Sequence, residues 1–355
     1  MKFLLSLAVC VPLAALSIYY FIELPDVNDL VRTCELYDLK QLTGIDGFDT
    51  HLCIITTIFN HAFRDPLGYD ITWLLLGFFG IILTVFALEG SRARSNRFLS
   101  WFSFWGMTSN FVGMSNILLL LWIPAIFYCF DNTVIKDVRN VHISPGRANS
   151  ILLSILVGYA APTAAMLLVE TLEMQKLGAM LWQFAPIWTG ALILLLDPLM
   201  RYLEDEEDMR MTAEARAKLK VADSRNAVQR VYMLIGMVNA LIYYGLYIRL
   251  KMQGMLTVET FINLLNEYNG QMTGVTMEQL GRIVATHIFT ADLLICYFAC
   301  AVWAFFDHGI KGILIMLIGS IFLGPGGGLA LYCVYREEHL QDTARLPAAP
   351  QKKNQ

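Results

Sequence analysis

Eight stretches of this chain are each apolar over about the 20 residues that a bilayer-spanning helix requires, and that pattern restricts the fold more than any other feature. They cover residues 3–22, 72–88, 101–130, 150–169, 177–196, 231–250, 284–306 and 312–335. In hydrocarbon every backbone N–H and C=O must be satisfied internally, so an uncharged run of that length is a helix. The expected fold is therefore all-α, a polytopic transmembrane helix bundle of about eight helices. Residues 1–340 form one integral membrane unit, and residues 341–355, with two prolines and two lysines, read as a disordered tail. The composition agrees: 56% of the 355 residues are hydrophobic and 16% charged, against about 25% charged in soluble domains. That balance excludes a disordered chain and a plain soluble enzyme. A net charge of −4 offers no basic field for nucleic acid.

Two stretches are irregular. The third, residues 101–130, is too long for an upright helix and too short for two passes with a turn. A tilted or kinked helix is expected there, with Pro124 at the kink. The first follows Lys2 as the apolar core of a signal peptide would, but it exceeds the usual length of about 7–15 residues. Bulky Tyr19, Tyr20, Phe21 and Ile22 precede Glu23, so an uncleaved first helix is expected.

Short loops rich in Lys and Arg face the cytosol. Arg92, Arg94 and Arg97 share the connection 89–97, and Arg336, Arg345, Lys352 and Lys353 follow the last helix. Both are assigned to the cytosol, in a membrane such as the endoplasmic reticulum. Residues 23–70 form an acidic extramembrane loop on the lumenal side, with an amphipathic patch at 52–63 suited to the interface. Eight crossings also put the polar helical connection 200–230 in the lumen, although it is rich in Arg and Lys. Its acids, including the run Glu204 to Asp208, read as a solvated helix face. Residues 257–268 and 276–282 read as two short helices. Five of the seven cysteines lie in apolar stretches; Cys34 and Cys53 share one loop and can pair if it faces an oxidising lumen.

Ionisable groups inside hydrocarbon cost roughly 2.5–3.5 kcal/mol on insertion scales and so mark functional candidates. Asp292, within 284–306 and near His287 and Thr290, stands out. Desolvation disfavours the charged form of a carboxyl at that depth, so it can hold a proton and donate it; the structural alternative is a hydrogen bond to a neighbouring helix. Asp197 before Pro198, Glu89 three residues from Arg92, and Glu170 with Glu173 end their helices and read equally as interfacial groups. Asn116 and Asn239 can orient a substrate oxygen or bond across helices. Trp182, Trp188, Tyr243, Tyr244, Tyr297 and Phe298 lie deep enough to wall a cavity that attracts a cation, and such a cavity beside a protonated carboxyl suits carbocation chemistry. There is no paired Asp-rich motif for magnesium diphosphate, no HExxH, no GxSxG and no phosphate loop. No metal ligand set is therefore expected. Gly324 to Gly328, GPGGG, reads as a helix break within the bundle.

Three pieces carry a resemblance: Glu89 with Arg92 and Asn96, the buried acid Asp292, and GPGGG running into Tyr335, Arg336, Glu337 and Glu338. Together, over residues 72–338, they are similar to the fungal membrane-bound terpene cyclases of the ascofuranone-pathway type. The chain is longer than the seven-helix cyclases of the pyripyropene type and lacks their Asn-Phe-Ala-Trp-Glu pattern. The resemblance implies meroterpenoid biosynthesis. A prenylated aromatic or polyketide, with its terminal alkene free or epoxidised, would be protonated and cyclised without metal or organic cofactor, alongside other pathway enzymes. On it, Asp292 is the acid, Glu89 or Asp197 a second acid or terminal base, and Asn116, Asn239, Tyr243, Trp188 and His287 contact the substrate. A small-molecule transporter with intramembrane carboxylates, GPGGG forming a broken helix at its site, is the alternative.

Overall fold

The computed structural model describes residues 2–23, 44–95, 98–130, 137–203, 211–260, 262 and 276–346. Among the described residues all regular structure is helical. The helices are α1 (Lys2–Glu23), α2 (Asp46–Arg64), α3 (Pro66–Gly90), α4 (Phe102–Val112), α5 (Met114–Cys129), α6 (145–168), α7 (Leu172–Trp182), α8 (Ala185–Tyr202) and α9 (Ala213–Met252). The run Met277–Leu340 follows and is broken at Gly309 and Gly324 into α10 (277–308), α11 (310–323) and α12 (325–340). Five helical segments are long and apolar enough to cross a membrane, six if the bent pair α7 and α8 forms one span.

Local sequence sets several helix starts. Asp65 caps α3, its carboxylate accepting from Gly68 N at 2.6 Å, with Pro66 in the first turn. Thr276 and Gln279 close a capping box at the start of α10. π turns at Leu118–Trp122 and Leu156–Ala160 each end two residues before a proline, Pro124 and Pro162. The wider turn accommodates a residue that has no N–H and whose ring crowds the preceding turn.

The third apolar stretch is not a single tilted helix. The chain reverses at Gly113, whose φ of 96° and ψ of 134° only glycine adopts freely. Trp105 on α4 and Trp122 on α5 both meet Phe86, at ring-centroid distances of 6.5 and 4.8 Å, so the two arms pass the same level. Arms of 11 and 16 residues measure about 16 and 24 Å, short of the roughly 30 Å of hydrocarbon. A hairpin entering and leaving by one face has no need to cross it.

The last stretch behaves likewise. Gly309 (φ 64°) turns the chain back on α10, and Gly324 (φ 74°) turns it again. Tyr297 on α10 bonds Ser320 on α11 at 2.8 Å, and Lys311 sits 4.8 Å over the ring of Tyr335 on α12. The expected break at GPGGG is thus the tip of a second re-entrant hairpin, and 312–335 is not a span.

Two hairpins replace two of the eight crossings, and this resolves the misplaced positive charge. Arg147 bonds Ser91 at 3.0 Å and pairs with Asp197 at 3.4 Å, while Arg230 bonds Asn149 at 3.0 Å. The described ends of the 200–230 connection therefore share a face with Glu89 and Arg92. Lys2 donates to Asp307 O at 3.3 Å and Arg336 pairs with Asp307, so α1 begins and α12 ends on that face too. The opposite face gathers α2, Asp65, Arg249 and the start of α10, with Arg64 to Glu278 at 3.0 Å and Arg249 to Asp70 at 3.4 Å.

The amphipathic patch at 52–63 is part of α2, which covers this second face: Phe59 lies 4.9 Å from Phe289 and 5.7 Å from Trp182. Cys53 is disulfide-bonded; Cys34 lies outside the described residues, as do residues 204–210, most of 257–268 and residues 347–355. Residues 276–282 form the first turns of α10, and Thr343–Arg345 form a short 3-10 turn within the expected tail.

Candidate functional site

Asp292 lies near the middle of α10, between Glu278 on the α2 face and Asp307 on the Glu89 face. Along this helix Phe289, Cys296, Ala299, Cys300 and Trp303 are buried, whereas Leu294 and Phe298 are 58% and 52% exposed on the opposite side. Helical spacing puts Asp292 in the buried stripe, yet it keeps partial access itself. Its Oδ1 accepts from Ser115 N at 3.4 Å and from the Cys296 thiol at 3.6 Å. Ser115 is two residues past Gly113, so the tip of the first hairpin delivers a backbone donor to the acid. Ion pairs to Asp292 are absent among the described residues.

Asn116 adjoins the same tip. Its amide nitrogen donates to Val112 O at 3.0 Å, which leaves Oδ1 buried and without a partner. His287 is buried five residues before Asp292 on α10, on a neighbouring face of the helix. Together Asp292, Ser115, Asn116 and Cys296 form a polar cluster on broken backbone inside an apolar bundle.

Glu89 sits elsewhere, in a dense ion network on the first face. Arg92 bridges Glu89 and Glu337, at 2.6 and 2.7 Å, and Arg336 bridges Glu89 and Asp307, the former at 2.8 Å. Arg92 also donates to Val141 O at 2.9 Å, and Gln341 bonds Glu337. The Glu89, Arg92 and Glu337 side chains are wholly buried. Arg336 lies 5.1 Å over the ring of Trp303, which touches Trp122 and Tyr332. An acid held by two guanidinium groups is a fixed carboxylate.

The remaining candidates scatter. Asp197 is partly accessible and pairs with Arg147 and with Arg201 at 3.0 Å. Asn239 donates to Ile235 O at 3.1 Å, and its carbonyl oxygen fills the space left by Gly77 and Gly326 at a helix crossing. Tyr243 packs on Gly324, where an added Cβ would lie 2.7 Å from the ring. Trp188, Tyr244 and Phe298 point outward, 51%, 48% and 52% exposed, so they do not wall a common chamber. Trp182 is buried and donates to Thr163 at 2.7 Å.

Sequence reasoning named Asp292 and Asn116 but missed Ser115 and Cys296 as their neighbours, since only the turn at Gly113 brings them together. It also passed over Asp70 and Asp307, and it named Glu337 only as part of the resemblance. The pairing of Glu89 with Arg92 was visible from their spacing; the pairing with Arg336 was not. A separate groove of about 240 Å³ opens between α2 and α7, walled by Leu52, Thr56, Leu177 and Met180. Of the residues singled out from the sequence, Cys53 and Glu173 line it, and Asp292 does not.

The family model of the CtvD domain matches residues 5–341. Neither the curated proteins nor the solved structures contain a match.

Proposed function

The chain belongs to the CtvD domain family, and on that premise we propose that it is a membrane-bound, metal-independent terpene cyclase. It acts on a prenylated, farnesyl-type aromatic or polyketide in meroterpenoid biosynthesis. Asp292 is the general acid. Its O–H bond breaks as the proton passes to the terminal alkene carbon or the epoxide oxygen, and the resulting carbocation is attacked by the next double bond. The cascade ends by loss of a proton or by capture by a hydroxyl of the same molecule, so the product is an isomer of the substrate. Asn116 orients the polar end of the reacting chain.

The observation that carries this reading is the setting of Asp292. It is an acid in the buried stripe of a bilayer helix, held by a backbone N–H and a thiol and facing no cation. In this reading the carboxyl is the neutral acid, with no cation beside it, and donates the proton. Glu89, clamped between Arg92 and Arg336, has no proton to give, and in this reading it is a structural anion. Cys53 in a disulfide supports placing the α2 face in an oxidising lumen, with the arginine-rich face in the cytosol. The enzyme then resides in the endoplasmic reticulum, with other pathway enzymes beside it.

The test is direct. Microsomes containing the protein are given farnesylated phenols and their epoxides with EDTA present, and products are followed by mass and retention. The expected result is an isomer of unchanged mass that disappears with Asp292→Asn. Conversion that persists in Asp292→Asn overturns the assignment of the acid, and conversion that EDTA abolishes overturns metal independence.

A transporter remains the second reading, because two re-entrant hairpins with glycine tips are the kind of discontinuous helix that transporters place at substrate sites. Uptake of a prenylated phenol into sealed vesicles without chemical change would favour it.

A further inference from the structure

We infer that Asp292 is a one-sided acid whose proton sits on Oδ2, and that Cys296 is the positioning residue that makes it so. This rests on the cyclase reading and adds to it the orientation of the donor.

A neutral carboxyl has one oxygen that only accepts and one that carries hydrogen. Ser115 N–H and Cys296 Sγ–H converge on Oδ1, and the buried Ser115 hydroxyl also lies near the carboxyl. Two donors on one oxygen make it the carbonyl oxygen, and the hydrogen is left on Oδ2. Among the described residues no hydrogen bond to Oδ2 meets normal geometry, and Asp292 keeps partial access to its surroundings. The proton therefore sits on the oxygen with room beside it.

The chemistry of position 296 explains why a thiol serves there. Five buried hydroxyls on these helices give their hydrogen to the carbonyl one turn back: Thr72 to Gly68, Thr84 to Gly80, Ser109 to Trp105, Ser150 to Gly146 and Thr163 to Tyr159, at 2.7–2.8 Å. Serine at 296 would do the same with the backbone oxygen of Asp292. A thiol is too weak a donor to compete for that carbonyl, which already takes part in the helix ladder, and it stays with the carboxyl. Serine is thus expected to behave as alanine here rather than as a mimic.

The test uses purified full-length protein in lipid nanodiscs, as wild type, Asp292→Asn, Cys296→Ala, Cys296→Ser and Cys300→Ala. Cys300 is one turn along the same stripe and does not bond Asp292, so it controls for loss of a buried thiol. Infrared difference spectra against Asp292→Asn isolate the carboxyl C=O stretch of a neutral Asp292. That band is expected to move to higher frequency in Cys296→Ala and Cys296→Ser and to stay put in Cys300→Ala. In turnover, Cys296→Ala and Cys296→Ser are expected to lower kcat about fivefold, the value of one weak hydrogen bond, with KM unchanged.

A carboxyl band that is present but unmoved in Cys296→Ala overturns the inference and leaves the cyclase reading standing. A wild-type protein with no carboxyl band assignable to Asp292 overturns both, because the acid would then be ionised.

Discussion

Arg336 Nη1 donates to Glu89 Oε1 at 2.8 Å and so ties the end of the second re-entrant hairpin to the end of α3, across 247 positions of sequence. With Arg92, Glu337 and Asp307 it forms a network that locks the hairpin against the rest of the bundle. Removing one member leaves its partners charged and buried, a loss of about 3–5 kcal/mol. Glu89→Ala is therefore expected to lower the thermal unfolding midpoint by several degrees in detergent. A midpoint equal to wild type would show that the network does not hold the hairpin.

Asp197 offers the contrast. Its pairs with Arg147 and Arg201 are partly solvated, and such pairs contribute about 0–1 kcal/mol. Asp197→Asn is expected to leave both the unfolding midpoint and the rate of substrate conversion near wild type. A large fall in rate without a fall in midpoint would return Asp197 to the chemistry.

The two hairpins fix a topology that labelling can read. Arg94→Cys and Lys218→Cys are expected to react with an impermeant maleimide from one side of sealed microsomes. Thr257→Cys should react only from the other; all three positions are exposed. Labelling of Arg94→Cys and Lys218→Cys from opposite sides would mean that residues 101–130 cross the membrane after all.

Close helix approach at Gly158 gives a packing test. A Cβ there would lie 2.8 Å from Thr189 Cα and 3.0 Å from its N, backbone that cannot step aside. Gly158→Ala is expected to cost about 1–3 kcal/mol, read as a lower midpoint or reduced yield of monodisperse protein. Gly245→Ala, with open space at its Cβ position, is expected to be neutral or slightly stabilising through helix propensity. Equal effects at the two sites would count against the α6–α8 crossing.

The helical class, the membrane setting and the positions of the apolar segments were legible in the sequence, because hydrocarbon forces each apolar run to satisfy its own backbone. The break at GPGGG was legible too, from glycine and proline chemistry. The reversal at Gly113 was not: a lone glycine in an apolar run reads as a packing residue, and its positive φ is a property of the folded chain. That single turn changed the crossing count. The basic connection near residues 211–230 then fell on the same face as Arg92, where the positive-inside tendency had pointed all along.

Asp292 was named from the cost of an acid at membrane depth, a local property of one residue in one apolar run. Its neighbours were set by geometry over long sequence separations: Ser115 is 177 residues away. The same holds for Glu89, whose contact with Arg92 follows from a three-residue spacing and whose clamp by Arg336 does not. Composition and periodicity report what each segment must do with water and lipid. Which polar groups share a buried space depends on how the segments turn and pack, and only the folded bundle decides that.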